Sequence, residues 1–365
     1  MLSLEVHLLA FGKRKKFSTF LSDLMDWRAE YKLTALCGAV AVSVFLVRLL
    51  KRPTRPYESV ESVGREYDKW ATDGILEHYW GEHIHLGYYT IGQRINMNPL
   101  SSFLRSFVSA TRAGLLTAEF KEAKFEFTRN LLAWSGVNDL SESEHVKVLD
   151  VGCGIGGTTR YLAEKRAQWT VTGISISPEQ VRRATELALT REVNNCDFRC
   201  CDAMNMPFPD NSFDVVWTCE SAEHMPDKNL FIRECVRVLK PGGKLVLATW
   251  CQRADDVVPF SESERSRLDF LYKEWCHPAF ASIQAYCGIC MQSGLEQVRS
   301  TDWTLETLPS WRHSIFVGIW SPWAVMLKPG CWWSTIREIV TLERMHCAFR
   351  DRLMEYGLVT GVKKK

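Results

Sequence analysis

A glycine-rich turn with an acid beside it is the first stretch of this sequence that can do chemistry. Gly152, Gly154 and Gly157 match the spacing G-x-G-x-x-G, in which missing Cβ atoms permit a tight turn and let a ligand approach the backbone. Dinucleotide sites share this spacing but place an acid about 20 residues further on, where this chain has hydroxyls and glycine at 171–178. Asp150 precedes the turn instead, and a carboxylate there attracts a cation and repels a pyrophosphate. The expected ligand is therefore S-adenosylmethionine, which carries an ammonium and a sulfonium and no phosphate.

A second cluster of reactive side chains lies at 217–227, directly after an apolar run that predicts a strand. It contains Glu220 and three catalytic candidates, Glu223, His224 and Asp227. Methyl transfer from a sulfonium needs little acid catalysis of the leaving group, so the protein must align nucleophile and methyl and remove a proton. His224 ranks first as the base because it follows a core strand and is held rigidly, with Glu223 orienting or charging it. One or two of the acids are expected instead to cap the next helix, whose first turn favours acids.

The segment 78–89 concentrates aromatic and histidine side chains before the first core strand. His83 and His85 are two residues apart, so in a strand they would share one face, either as ligands or as surface residues. Two histidines with no third nearby are weak evidence for a metal site, and we expect no metal. Tyrosine and tryptophan in such a segment mostly supply buried area.

The side chains described above must be positioned by secondary structure, and the sequence shows apolar strand patterns that alternate with helical patterns. Such alternation predicts an α/β fold, a parallel sheet with helices on both faces, whose ligands sit at the carboxyl ends of the strands. Asp202 ends the third strand, where its carboxylate can accept from an adenine amino group, and Ala203 offers a backbone N–H and little bulk. One or two amphipathic helices, 103–134, precede the sheet. The predicted strands are 146–151, 170–174, 198–201, 213–218 and 244–249.

Five stretches, read in order, carry a family resemblance: 150–157, 173–180, 202–210, 220–228 and 249–251. Together they resemble the tocopherol O-methyltransferase group of class I S-adenosylmethionine-dependent methyltransferases, which is related to sterol C-methyltransferases and cyclopropane synthases. The resemblance runs from about Tyr67 to the C-terminus, and several motifs in the right order are more specific than one glycine loop. It implies a Rossmann-like class I methyltransferase sheet with an N-terminal helical cap.

The resemblance also implies roles for single residues. Tyr67 would contact the methionine end of the cofactor. Ser175, Ile176 and Gln180 would lie near its ribose hydroxyls, although Gln180 is equally well explained as a solvated helix residue. The cofactor set implied is Tyr67, Asp150, Gly152, Gly154, Gly156, Ser175, Ile176, Gln180, Asp202, Ala203 and Glu220. The substrate mouth implied is Trp80, His83, His85 and Tyr88.

Composition excludes some function classes. The chain has 365 residues, 46% of them hydrophobic, which allows one large domain or two small ones. Its 45 Lys and Arg nearly balance 43 Asp and Glu, so no global field indicates nucleic acid as a partner. The 13 cysteines lack framework spacing and indicate a reducing compartment. Cys287 and Cys290 form one C-x-x-C pair, which we interpret as core packing because a zinc site needs a second pair.

The N-terminal segment differs from the rest. A basic cluster, 12–17, precedes an uncharged run, 33–47, which reaches 18 residues at Leu50 only if Arg48 snorkels. That length is at the short end of the ~17–25 residues needed to cross a bilayer. The run predicts a membrane-anchor helix, with a buried or interfacial helix or an organelle-targeting region as alternatives, and plastid or endoplasmic reticulum as the location. The predicted segments are 1–56 (basic region and anchor), 57–140 (cap), 141–300 (cofactor-binding core) and 301–365 (Trp-rich lid).

These features predict a membrane-associated methyltransferase acting on a lipophilic small molecule. The first candidate substrate is a tocopherol-like phenol, methylated on its aromatic carbon. A sterol side chain or an amine remains open, as does a non-enzymatic lipid-binding protein with a vestigial cofactor fold. Six tryptophans after residue 302 suit a greasy substrate or a helical lid, but the stretch 309–337 departs from the tocopherol-type tail.

Overall fold

A computed structural model describes residues 55–96, 110–140, 145–256, 258–320, 323–328, 330 and 332–365, together with Ser43. The predicted anchor run, 33–47, lies outside these residues except for Ser43, and the start of the helix predicted at 103–134 also lies outside them. Within the described ranges, no helix has both the length and the apolar character required to span a bilayer. The anchor helix therefore stays a prediction.

One sheet of seven strands organises residues 55–365, in the order β3-β2-β1-β4-β5-β7-β6. The strands β1 to β5 pair in parallel, as predicted, and β7 runs antiparallel to both β5 and β6. The strands are β1 Lys147–Val151, β2 Thr170–Ser175, β3 Cys196–Cys200, β4 Phe213–Cys219, β5 Leu239–Gln252, β6 Leu295–Asp302 and β7 Met354–Lys363.

Helices precede the sheet, alternate with its strands and complete its C-terminal part. The longer ones are α1 Val60–Asp73, α4 Ala110–Ser135, α5 Gly157–Lys165, α6 Pro178–Thr190, α7 Lys228–Val238, α8 Glu262–Glu274, α9 Ile283–Gln292, α11 Pro309–Trp320 and α13 Trp332–Arg350. The shorter ones are α2 Ile75–Trp80, α3 Ile91–Asn96, α10 Thr304–Thr307, α12 Trp323–Met326 and a 3₁₀ turn at Ala222–His224.

Two predicted boundaries are corrected. The segment 301–365 is more than a lid, because β7 lies inside the sheet between β5 and β6. The fifth strand is longer than 244–249 because it already begins at Leu239, which pairs with Phe213 before Lys244 pairs with Val215. Residues 240–243 lie in the irregularity between these two pairs.

The two faces of the sheet build two cores. Val215 and Trp217 of β4 belong to one buried cluster and Val216 to the other, because successive side chains on a strand point to opposite faces. Burial on both faces explains the nearly continuous apolar runs of the central strands. Each fully buried valine or leucine contributes about 1.5–3 kcal/mol, so these faces fix the register of the strands that carry the site.

The strand order reverses between β1 and β4. The chain moves outward from β1 to β2 and β3 and then returns to place β4 on the other side of β1. Ligands of open α/β sheets bind at the carboxyl ends of strands at such a switch point. The glycine turn follows β1 and the 220–227 segment follows β4, so both lie at this point.

The N-terminal cap is tied to the carboxyl edge of the sheet by polar contacts. Ser177 donates to Asp68 of α1 at 2.5 Å and caps α6 by accepting from the backbone of Gln180. Glu82 pairs with the buried Arg160 of α5 at 2.6 Å. The stretch 81–90 is irregular, so it is not the strand considered for His83 and His85.

Candidate active site

A cavity of about 700 Å³ opens at the carboxyl ends of β1, β2 and β4. Its lining contains ten of the eleven residues predicted for the cofactor, with Gly156 as the exception. Glu223, His224, Trp80, His83 and His85 line the same cavity. Residues from four predicted motifs therefore meet in one space.

The glycine turn adopts a backbone that other residues rarely accept. Gly152, Gly154 and Gly156 have φ of 81°, 55° and 79°. A Cβ at Gly152 would lie 2.3 Å from the Cβ of Ser221, and one at Gly156 would lie 2.5 Å from the ring of Phe198. At Gly154 the nearest atom to a Cβ is 3.9 Å away. Two of these glycines are therefore required by protein packing, whereas Gly154 leaves open space on the cavity side.

Asp150 lines the cavity and also holds the turn. Its Oδ2 accepts a hydrogen bond from the Thr159 hydroxyl at 2.6 Å. Burial raises the pKa of the Asp150 carboxyl to about 6. A buried carboxylate gains most from a cationic neighbour, so a cavity with this acid and an open glycine backbone fits the ammonium and sulfonium of S-adenosylmethionine.

The predicted ribose and adenine residues also line the cavity. Ser175 donates to the Gln180 side-chain oxygen at 2.8 Å and is buried with it, so Gln180 is not a solvated helix residue. Asp202 lies in the turn after β3, where its Oδ1 accepts from the backbone of Met204 at 2.9 Å. These contacts orient polar side chains beside the glycine turn without a ligand.

Glu220 joins the cap, the sheet and the site. Its Oε1 accepts from the backbone of Leu86 at 2.8 Å and from the Tyr356 hydroxyl of β7 at 2.7 Å. Its φ is 51°, a conformation that costs an ordinary residue of order 1–3 kcal/mol and often marks a functional site. Burial raises the pKa of its carboxyl.

Glu223 is buried with one oxygen left open. Its Oε2 accepts from the Thr249 hydroxyl at 2.6 Å, whereas Oε1 has no hydrogen-bond partner among the described residues. Burial, followed by the nearby charge of Glu220, raises the pKa of the Glu223 carboxyl well above its ordinary value. Lys228 fixes the 3₁₀ turn and its end by donating to the carbonyls of Ala222, Glu223 and Met225 at 2.6–3.0 Å.

His224 points its ring at Tyr67, and the two are 2.6 Å apart between Nε2 and the hydroxyl. Burial lowers the pKa of His224 to about 3 and raises the pKa of Tyr67 well above 10. A protonated tyrosine beside a neutral imidazole donates to Nε2, which places the ring proton on Nδ1. The buried Nδ1 has no hydrogen-bond partner in the described ranges, so His224 offers an unused donor there.

His277 was not predicted from the sequence. Its ring stacks on His224 with centroids 4.3 Å apart, and the residue is 3% exposed. Within the part of the chain that the structure describes, neither ring nitrogen has a hydrogen-bond partner. Trp250, Trp275 and His277 line the cavity together. The preceding residue, Cys276, has a φ of 55°. No motif surrounds His277, so only the tertiary structure identifies it.

Two predicted site residues lie elsewhere. Asp227 is exposed, and its carboxylate caps α7 by accepting from the backbone of Leu230 at 2.9 Å. It does not line the cavity, which matches the capping alternative and removes it from the site. Tyr88 packs edge-to-face on Trp303 and is also absent from the cavity lining.

His83 and His85 lie against each other, with 3.3 Å between His85 Nε2 and His83 Nδ1. His85 Nδ1 also contacts the Leu86 carbonyl at 2.8 Å, and Thr158 contacts His83 at 3.3 Å. Burial lowers the pKa of both imidazoles, that of His85 to about 4. Nearly all of their polar capacity is used inside the protein.

The chain is similar to known methyltransferases. A family model described as a methyltransferase domain matches residues 149–247. The chain is 40% identical over 342 residues to the 2-methyl-6-phytyl-1,4-hydroquinone methyltransferase of Synechocystis sp., covering 91% of this chain and 95% of the relative. It is 33% identical over 300 residues to the chloroplastic tocopherol O-methyltransferase of Arabidopsis thaliana, covering 80% and 79%. The geranyl diphosphate C-methyltransferase of Streptomyces coelicolor, solved with S-adenosyl-L-homocysteine, shares the fold with a TM-score of 0.63, at 19% identity over 83% of this chain and 97% of that chain.

Proposed function

Because this chain belongs to the S-adenosylmethionine-dependent methyltransferases of the tocopherol-pathway group, we propose that it methylates a ring carbon of a hydroquinone that carries a long isoprenoid tail. The relative with 40% identity is named for such a substrate. Sterols and amines, the alternatives from the sequence, are less favoured because the more similar relatives are named for hydroquinone and tocopherol substrates.

The uneven lining of the cavity is the observation that carries this proposal. Asp150, Glu220, Glu223 and His224 lie where β1 and β4 end, whereas the side chains that α11 and α13 contribute to the lining are mostly apolar, among them Ile315, Ile336, Ile339 and Leu342. A polar head with a hydrocarbon tail matches this division, since burying polar groups without partners is costly. A small polar amine would leave the apolar part empty.

The cofactor is held by this chain's own residues at the polar end. We assign the methionine end to Asp150, Gly154 and Tyr67, the ribose to Ser175 and Gln180, and the base to Asp202 and Ala203. Bound S-adenosylmethionine supplies an electrophilic methyl group. The Ser221 hydroxyl, which donates to the carbonyl of Val151 at 2.9 Å, keeps the glycine turn against the segment that carries Glu223.

The acceptor needs a base because a phenol is a poor carbon nucleophile until its hydroxyl is deprotonated or strongly hydrogen-bonded. The ring carbon must also lose its hydrogen after transfer to restore aromaticity. The sequence ranks His224 first for this work. The environments favour Glu223 as the proton acceptor, because a base is most effective when its pKa lies near the working pH, and His224, with a pKa of about 3, holds a proton poorly.

His224 and His277 then form hydrogen bonds with the hydroxyl groups of the acceptor ring. The Nδ1–H of His224 is a buried donor that no other described residue uses, and it suits an oxygen that gains negative charge. His277 presents two unused nitrogens beside it. Trp250 and Trp275 supply aromatic faces for the acceptor ring, since offset or edge-to-face contacts favour such pairs.

The test is methylation of a substrate panel by the full chain with labelled S-adenosylmethionine. We expect 2-methyl-6-phytyl-1,4-hydroquinone to be methylated, with the new methyl on a ring carbon by NMR, and sterol and amine acceptors to stay unlabelled. Product with the methyl on oxygen would overturn the choice of atom. Label in a sterol or an amine, and none in the hydroquinone, would overturn the substrate class.

Location belongs to the same proposal. Two relatives are named chloroplastic, and a hydroquinone with a phytyl tail resides in membranes. We therefore place this enzyme at a plastid membrane, held there by the uncharged N-terminal run 33–47. Burial of an apolar segment resists salt, unlike attraction between surface charges.

A further inference from the structure

The stretch 309–337, which departs from the family tail, builds the outer wall of the cavity. Ile319, Met326 and Trp332 belong to α11, α12 and α13, and all three line the cavity. They are also 53%, 51% and 49% exposed. A side chain that lines a cavity and also faces solvent stands at its opening. With Leu327, which is 80% exposed, they form what we call the apolar rim.

A hydrogen bond joins two of the helices that carry the apolar rim. The indole of Trp332 donates to the carbonyl of Val325 at 2.9 Å, which joins the start of α13 to α12. Val325 lines the cavity and packs against the buried cluster that contains Tyr79 and Val317. The helix α12 that carries Met326 of the rim is therefore packed against the protein through Val325.

The stretch 309–337 places an exposed tryptophan and an exposed lysine, Trp332 and Lys328, near the opening of the cavity. Residues 309–337 contain three cations and no Asp or Glu. Arg312 and Arg337 are paired with Glu343 and Glu274, and exposed Lys328 stands directly after Leu327. Tryptophan favours the membrane–water interface, and a basic residue beside an apolar surface is attracted to anionic headgroups.

Arg55, where the continuous description of the chain begins, contacts the helix that carries Trp332 of the rim. The described ranges begin, Ser43 apart, at Arg55, which lines the cavity and donates to Glu338 of α13 at 3.0 Å. Glu338 is six residues, about 9 Å along the helix, from Trp332. In sequence, the uncharged run 33–47 and the basic residues Lys51 and Arg52 precede this point.

We propose that the apolar rim docks on a lipid bilayer, so that the isoprenoid tail enters the cavity directly from the membrane between α11, α12 and α13. This rests on the proposed function, because it presumes a substrate dissolved in lipid. A protein partner that covered the rim would close the entrance, whereas a bilayer both covers the apolar side chains and supplies the substrate. Exposed apolar patches at a binding groove commonly mark such contacts.

A rate comparison tests the route in the full chain. Leu327→Asp changes the most exposed rim residue, which does not line the cavity, and Leu189→Asp on α6, 73% exposed, is the matched control. We measure methylation of 2-methyl-6-phytyl-1,4-hydroquinone in phosphatidylcholine–phosphatidylglycerol vesicles and of tail-free 2-methyl-1,4-hydroquinone in solution. Leu327→Asp should lower the vesicle rate at least ~10-fold, a loss of about 1.4 kcal/mol, and leave the solution rate unchanged. Equal vesicle rates for the two variants would overturn the route.

A photocrosslink separates the possible occupants and does not depend on activity. Benzoylphenylalanine placed at position 327 of the full chain is irradiated with the same vesicles. Crosslinks to lipid support docking. Crosslinks to residues 1–54 or to a second copy, without lipid, overturn it in favour of a protein cover. If neither hydroquinone is methylated while lipid is crosslinked, the proposed function fails and the docking surface stands.

Discussion

Burial sets the protonation states of two acids and two imidazoles that lie within a few residues of β4 and α8. Glu223 and His224 are adjacent in sequence, yet burial moves their pKa values in opposite directions, because it disfavours the charged form of each. At neutral pH the imidazole is therefore an uncharged donor. The carboxyl group exchanges a proton near the working pH.

The first prediction concerns the pH dependence of Glu223. A raised pKa means that the carboxyl keeps its proton to higher pH, and only the ionised form accepts one. The kcat/KM of the enzyme should therefore rise with pH through a midpoint above the ordinary carboxyl value of 4.5. Glu223→Gln should remove this rise and lower turnover by roughly 10²–10⁴-fold, measured with labelled cofactor from pH 5 to 9.

Two variants control this experiment. His224→Ala should lower turnover while keeping the rise with pH, because it removes a donor and not the base. Asp227→Asn, which changes the capping carboxylate of α7, should leave the profile as it is. A profile that is flat in His224→Ala and unchanged in Glu223→Gln would return the base to His224.

At the scale of elements, different glycines of the glycine turn serve folding and ligand binding. A Cβ at Gly152, Gly156 or Gly157 would meet protein atoms at 2.2–2.5 Å, so those glycines serve the packing of β1 and α5 against their neighbours. Gly154 is open to the cavity. The family motif therefore combines several positions required by packing with one that faces the ligand.

The second prediction uses that difference. Gly154→Val should weaken S-adenosylmethionine at least ~10-fold, about 1.4 kcal/mol, because the branched side chain fills space that the ligand needs. Gly242→Val is the matched control, since Gly242 also has a positive φ, 79°, and an open Cβ position with 3.9 Å to its nearest atom. Both should lose about 1–2 kcal/mol of stability through backbone strain.

Calorimetry with S-adenosylmethionine and thermal unfolding read out the two effects. We expect Gly154→Val and Gly242→Val to lose the same amount in melting temperature. Only Gly154→Val should lose affinity for S-adenosylmethionine. Undiminished affinity in Gly154→Val would contradict the placement of the cofactor at this turn.

At the scale of the whole molecule, residues 55–365 form one compact unit, and the described lining of the cavity belongs to it. Arg55 bridges Glu66 of α1 and Glu338 of α13, so it belongs to this unit, although it falls within the segment 1–56 predicted from the sequence. The unit therefore starts slightly earlier than the predicted boundary at 57.

The third prediction follows from this division. A chain that starts at residue 55 should fold and bind S-adenosylmethionine in solution, because it contains all of the described cavity residues. It should bind vesicles more weakly than the full chain, since stable anchoring takes two membrane signals. The full chain should sediment with membranes and stay there in high salt, measured by centrifugation. Release by salt alone would favour an interfacial helix over an anchor.

Local sequence determined a large part of the fold and of the cofactor site. Apolar runs of four to six residues with turn signals predicted β1 to β5, and the class I methyltransferase fold and S-adenosylmethionine as cofactor are confirmed. This succeeded because strand pattern and glycine spacing are set by neighbours in the chain. The strands β6 and β7 were not predicted from the sequence, since β6 is largely exposed and β7 is placed by pairing with β5.

Only the tertiary structure decided the substrate side of the site. His277 reaches His224 across 53 residues of sequence, and no motif announces it. Asp227 and Glu223 were indistinguishable as acids after β4, yet one caps a helix and the other is buried against Thr249. Burial and hydrogen-bond partners depend on elements distant in the chain, and these partners set pKa values and free donors. Sequence therefore determines which groups are available, and packing determines which of them can react.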